Sequence, residues 1–121
     1  MTEQTYETGG KTSIAPDVIL TIGRLAALGV PGVSRLAIVP SAAARLFKHS
    51  YVGEGMAIEM QESSVMADIY VVLKSDLNVQ DVSRKIQSEV ARAISEMVGM
   101  QVGTVNIHIE DIDYPVELEA Q

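Results

Sequence analysis

Three groupings of side chains in this 121-residue chain have the types and spacing to do chemistry. Near the C-terminal end, Asn106, His108 and Glu110 recur at every second residue, the spacing that sends side chains to one face of a strand. An imidazole and a carboxylate placed this way can begin a metal site, which needs a third donor and a supporting shell. The only other histidine, His49, falls in a different and irregular stretch, so the plain alternative is a solvated strand face. Glu59 and Asp68 flank a predicted hairpin turn, where they can face each other as the carboxylate pair that general acid–base chemistry uses or simply both point outward. The third grouping is basic: Arg45, Lys48 and His49 are interleaved with Leu46, Phe47 and Tyr51. In an acidic protein such a cluster suits contact with an anionic or amphipathic partner, and its plain alternative is a surface loop pinned by Phe47.

Composition removes several classes of function. There is no cysteine, which excludes a thiolate nucleophile, a disulfide framework and cysteine-ligated metal. The glycines fit caps, turns and bulges; none builds a phosphate loop, a dinucleotide fingerprint or the GXXG element that clamps single-stranded RNA. Six methionines at mostly apolar positions read as core filler or an adaptable interface. A net charge of −7 argues against general nucleic-acid binding, which draws on a basic surplus to displace phosphate counterions. No catalytic, metal-ligating or cofactor-binding residue is therefore assigned and no cofactor is expected. Residues 45–49 and Tyr51 stand as the predicted partner contact. Residues 1–10 are polar and lack the basic and apolar regions of a secretory signal, and the longest apolar run, around 18–30, is broken by Thr21, Gly23 and Arg24. It falls short of the roughly 20 residues that span a bilayer, so the expectation is a cytoplasmic protein without direct membrane insertion.

The elements that must hold these residues centre on 77–112. Asn78 is a plausible N-cap with Asp81 three residues on, and Leu77 and Val82 occupy the positions of a hydrophobic staple. Val82, Ile86, Val90, Ala93, Ile94, Met97 and Val98 then recur within a helical arc of about 160°. The opposite face carries charges, with expected pairs Asp81 to Lys85, Lys85 to Glu89 and Arg92 to Glu96. Gly99 can close the helix in the left-handed conformation, and Val105, Ile107 and Ile109 alternate with polar residues as a half-buried strand.

Upstream, 1–10 is expected to be a flexible leader and 11–14 a short edge strand. Pro16 and Asp17 start a first helix that Gly29 and Pro31 end, with Val18, Ile19, Ile22, Leu25 and Ala26 as its core stripe. That helix is apolar almost all round, which means either burial on more than one side or an outer face used for self-association. A strand over 32–39 closes at Pro40, a short helix is favoured over 42–48, and 56–61 pairs with 65–73 as a hairpin. The last strand follows a helical crossover and is expected parallel to 65–73. The result is an α+β fold of two layers, a small mixed β-sheet with two main helices on one face. A single domain spans 11–113, followed by a mobile acidic tail over 114–121.

Two stretches resemble a known family. The run VILTIGRLAALGVPGV at 18–33 is similar to its first helix and exit, and 90–112, containing MVGMQVGTVNIHI at 97–109, is similar to its closing helix and strand. With LNVQDV at 77–82 the likeness covers roughly residues 10–113. The family is the alkaline-shock, general-stress family of envelope stress response proteins, common in Gram-positive bacteria. The resemblance implies a small, cytoplasmic, non-enzymatic protein of cell-envelope homeostasis, a scaffold or interaction domain that forms homo-oligomers and is recruited to the membrane by a separate anchor protein. It carries over no catalytic residue. The chain departs from the family at Lys74, Ser75 and Asp76, where a glycine-containing strand exit is usual, and at 41–48, a loop of the kind that carries partner specificity. The alternative function is a small binding module that takes an anionic ligand or nucleic acid on the loop holding Arg45 and Lys48.

Overall fold

The structure, a computed structural model, describes residues 13–41 and 50–115. The expected leader at 1–10, the start of the 11–14 strand, the helix over 42–48 and the tail from 116 lie outside the described residues. Ser13 and Ile14, which are described, are not in a strand.

The chain runs α1 (Pro16–Leu28), β1 (Val33–Leu36), β2 (Ser50–Gly53), β3 (Met56–Met60), β4 (Ser64–Lys74), α2 (Val79–Val98) and β5 (Gln101–Asp113). This is the α+β arrangement expected, with both helices laid on a five-stranded sheet. β4 is the hub. β5 runs parallel along its whole length, from Ser64 opposite Gln101 to Lys74 opposite Asp113. On the other side two antiparallel strands share β4 end to end: β3 takes Val65 to Ile69, and β1 takes Val71 to Leu73. The changeover falls at Tyr70, whose N–H donates to Gly55 O at 2.9 Å and whose carbonyl accepts from Ala37 N at 2.7 Å. Gly55 is confined there. It has φ +75, and a Cβ on it would stand 2.5 Å from Leu36 Cβ.

The helix-facing side of the hub holds Val65, Ala67, Ile69, Val71 and Leu73, all fully buried. α2 covers them with Val82, Ile86, Val90 and Ile94, and fully burying each such side chain contributes about 1.5–3 kcal/mol. Its signals act as expected: Asn78 Oδ1 accepts from Asp81 N at 3.1 Å, and Gly99 closes the helix at φ 81. The surface pairs differ, being Arg84 with Asp81 and Arg92 with Glu89, each at i,i+3 spacing. Met97, expected in the buried arc, is 71% exposed, while Val98 beside it packs against the core.

α1 is turned from its expected phase. Ile19, Leu20, Gly23 and Ala27 face inward, whereas Val18 and Leu25 do not. The reason is close approach at Gly23, where any Cβ would run into the Met56 side chain. β1 is shorter than the expected 32–39, and Ile38 is left 88% exposed. β2 lies in a stretch for which no strand was expected, paired with β3 from Ser50 opposite Glu59 to Gly53 opposite Met56. β5 extends four residues further at each end than the alternation at 105–109 marks, because β4 offers a partner along its full length.

The flanks of the hub are tied at one end. Ser34 Oγ donates to Asp113 Oδ2 at 2.6 Å, and Arg35 Nε lies 3.4 Å from the same oxygen, linking β1 to β5 across β4. The Ser34 hydroxyl first, and then Arg35, hold the Asp113 carboxyl below its ordinary value.

Two glycine substitutions separate backbone strain from crowding. Gly99→Ala, where nothing lies within 4 Å, is expected to cost about 1 kcal/mol for the left-handed backbone alone. Gly55→Ala, which adds the clash with Leu36, is expected to cost about 2–3 kcal/mol. Urea unfolding midpoints of the two variants check the order.

Candidate functional site

The sequence-predicted groupings come out differently. Arg45, Leu46, Phe47, Lys48 and His49 lie outside the described residues. Tyr51 sits on β2 opposite Ile58 and is 43% exposed. Glu59 and Asp68 do not form a pair: the β3–β4 register sets Glu59 opposite Met66 and Asp68 opposite Ala57. The residues around His108 do converge, though with a partner that lies forty residues upstream of it.

On the sheet face away from the helices, the parallel register places Asp68 beside Asn106 and Tyr70 beside His108. His108 Nε2 is 2.9 Å from Asp68 Oδ1, and Asn106 Nδ2 donates to the same oxygen at 3.2 Å. The imidazole stacks on the Tyr70 ring, centroids 4.3 Å apart and planes 11° from parallel. Burial raises the Tyr70 hydroxyl above its ordinary range, and the negative charges of Asp68 and Glu110 raise it further. A carboxylate thus orients the imidazole, and an aromatic ring fixes its plane. Its two partners are both within the sheet, so the contacts join β4 to β5 rather than aim the ring at a cleft. Among the described residues there is no group of three or more His, Cys, Asp or Glu side chains placed to hold a metal ion.

Sequence reasoning put Asn106, His108 and Glu110 on one strand face and weighed Asp68 only as a partner for Glu59, on another strand. The missing step was register, since only the parallel alignment of β4 with β5 brings these residues into one cluster.

A second feature is apolar. On α1, Val18, Leu25 and Leu28 are 46%, 62% and 42% exposed, and with Thr21 they form a stripe at i, i+3, i+7 and i+10. The helix that reads as apolar all round therefore buries one side and leaves the other open. Two surface grooves complete the description. One, of about 460 Å³, lies between α2 and the first part of β5. The other, of about 340 Å³, lies between the segment leaving β1 and the β2–β3 turn. No helix among the described residues is long and apolar enough to cross a membrane.

The cluster has a titration signature. The raised value of Tyr70 contributes stability that is fully present below about pH 10 and is lost as pH climbs through the raised value. Asp68→Asn removes one of the charges that raise it, so the Tyr70 midpoint, followed by ring NMR signals, is expected to move down towards 10. An unmoved midpoint would remove Asp68 from the causes and leave burial and the Glu110 charge.

Comparison with known proteins places this architecture. Three relatives were compared, each an uncharacterized protein. Spy1535 of Streptococcus pyogenes serotype M6 is 36% identical over 109 residues, covering 89% of this chain and 83% of the relative. YqhY of Bacillus subtilis strain 168 is 25% identical over 112 residues, covering 91% and 82%. Spy1614 of the same Streptococcus is 25% identical over 116 residues, covering 93% and 95%. Among solved structures a variant of MamM-CTD superposes with a TM-score of 0.52 at 13% identity, covering 82% of this chain and all of that one. A copper form of MamM CTD gives 0.52 at 12% identity, again over 82% of this chain. At those identities the likeness shows a shared fold. The sequence profile of the alkaline shock protein 23 family, described as having a cell envelope-related function, matches residues 4–114, and the chain belongs to that family.

Proposed function

We propose that the protein is a non-enzymatic interaction domain of the cell envelope, a scaffold that self-associates and is brought to the membrane by a partner protein. The observation that carries this reading is the open stripe of Val18, Leu25 and Leu28 on α1. Large aliphatic side chains at helical spacing on a solvent-facing surface are a docking stripe in search of an apolar counterpart. The chemistry of the remaining surface supports the same reading. The titratable cluster on the outer sheet face, Asp68 with His108 and Tyr70, spends its contacts on joining two strands. In this reading α1 docks the membrane partner, and copies of the domain gather beneath the envelope in the cytoplasm.

Leu25→Lys with Leu28→Lys tests it. Both positions are exposed and lysine is a good helix former, so the fold is expected to hold, as far-UV circular dichroism would report. Retention of the purified protein on membranes of the host is expected to fall at least about tenfold, a loss of roughly 1.4 kcal/mol, well within what two buried leucines supply. Protease treatment of the membranes should abolish wild-type retention as well. Undiminished retention of the double variant would overturn the docking role of α1.

A further inference from the structure

The open stripe of α1 has the spacing of a helix-pairing seam. Val18, Thr21, Leu25 and Leu28 follow one another at intervals of three, four and three residues, the a, d, a, d order of two successive heptads. Such a seam packs along a second helix at a shallow crossing angle. The buried residues of α1, Ile19, Leu20, Gly23 and Ala27, lie on the opposite side of the helix, so the seam is free of the core. α1 carries two charged side chains, and both border the seam. Asp17 precedes Val18 and Arg24 precedes Leu25, which puts the acid and the base at g positions on one flank. The e positions of the other flank are Ile22 and Gly29.

Arg24 is poorly satisfied within its own chain. One terminal nitrogen lies a long 3.8 Å from Glu54, whose side chain is 79% exposed, and the buried Nε has no hydrogen-bond partner. A pair that long, with one member in solvent, contributes little and leaves the guanidinium able to take another carboxylate. Asp17 is exposed and has no ion pair among the described residues.

We propose that, away from the membrane, two copies of the chain pair α1 against α1 along this seam, antiparallel about a two-fold axis at the level of Gly23. In that register Val18 meets Leu28 of the second copy and Thr21 meets its Leu25, so each layer contains a leucine. Asp17 of each copy comes to Arg24 of the other, and the symmetry of an isologous interface forms that contact twice. Parallel pairing instead sets each charge beside Ile22 or Gly29, where no countercharge stands. The apolar layers supply most of the attraction, and the charges set its direction. The pairing rests on the self-association read above and assigns it to the surface that docks the membrane partner, so dimer and docked form compete for one seam.

The chain has no cysteine, which makes cross-linking specific to introduced thiols. Thr21→Cys and Leu25→Cys, made in separate full-length chains, are expected to cross-link on mild oxidation when mixed and far more slowly alone. Both positions are exposed, so folding is not at stake. Rapid cross-linking of each variant with itself would overturn the antiparallel direction. Sedimentation velocity across protein concentration reads the charges: Arg24→Glu and Asp17→Lys are each expected to weaken dimerisation about tenfold, and the two together to restore most of the loss. Self-association that ignores these charges, with no mixed cross-link, would overturn the pairing while leaving self-association standing. A monomer at every concentration would overturn both. The mixed cross-linked dimer is also expected to lose retention on host membranes; full retention would overturn the competition and the docking role of α1, with the pairing intact.

Discussion

The structure depends on β4 being paired on both sides at once. Its residues from Val65 to Leu73 include no charged side chain other than Asp68, and every inward-facing position is fully buried. A strand of that kind is stable only where both backbone edges find partners, since an unpaired buried amide costs about as much as a lost hydrogen bond. One edge is met by a single long strand, β5, delivered by the α2 crossover. The other is met piecewise by β3 and β1, which come from distant parts of the chain and abut at Gly55 and Leu36. The helices follow from this. α2 lies over β5 and α1 over β1, β2 and β3, so each half of the sheet carries its own cover.

That division also explains why the two helices look so unlike. α2 meets the sheet through one apolar arc, which Val82, Ile86, Val90 and Ile94 provide. α1 must close on a crowded junction, and it gets near enough only through Gly23 against Met56. Setting the contact there rotates Val18 and Leu25 outward. The exposed stripe is thus a geometric consequence of how α1 seats, and its aliphatic character is an added property that the seating does not require. Polar residues at the same positions would leave the core unchanged.

Much of the fold was legible because its signals are local. Asn78 and Gly99 mark the ends of α2 by their own side chain and backbone, and the hairpin and the alternation at 105–109 need no knowledge of their neighbours. What could not be read was anything decided by pairing. β2 is four residues whose strand character comes from β3. The phase of α1 depends on a glycine that a pattern of apolar residues does not count, and the contact of His108 with Asp68 depends on a register set forty residues apart. The carboxylate pair expected at Glu59 and Asp68 failed for the same reason, because each strand face was known and their alignment was not. The basic loop with Arg45 and Lys48 lies outside the described residues.

The placement of polar groups bears on function more than their number does. Among the described residues the buried side chains are apolar apart from Tyr70 with its hydroxyl, and one further buried donor, Arg24 Nε, has no hydrogen-bond partner. The titratable contacts that join strands lie on the outer sheet face and at the rim: Asp68 with His108 and Asn106, and Asp113 with Ser34 and Arg35. Each of these contacts bridges neighbouring strands or the two flanks of the hub, which makes them fasteners between elements. The apolar interior, the fasteners on the outer sheet face and the open aliphatic stripe on α1 are the features on which the proposed interaction role rests.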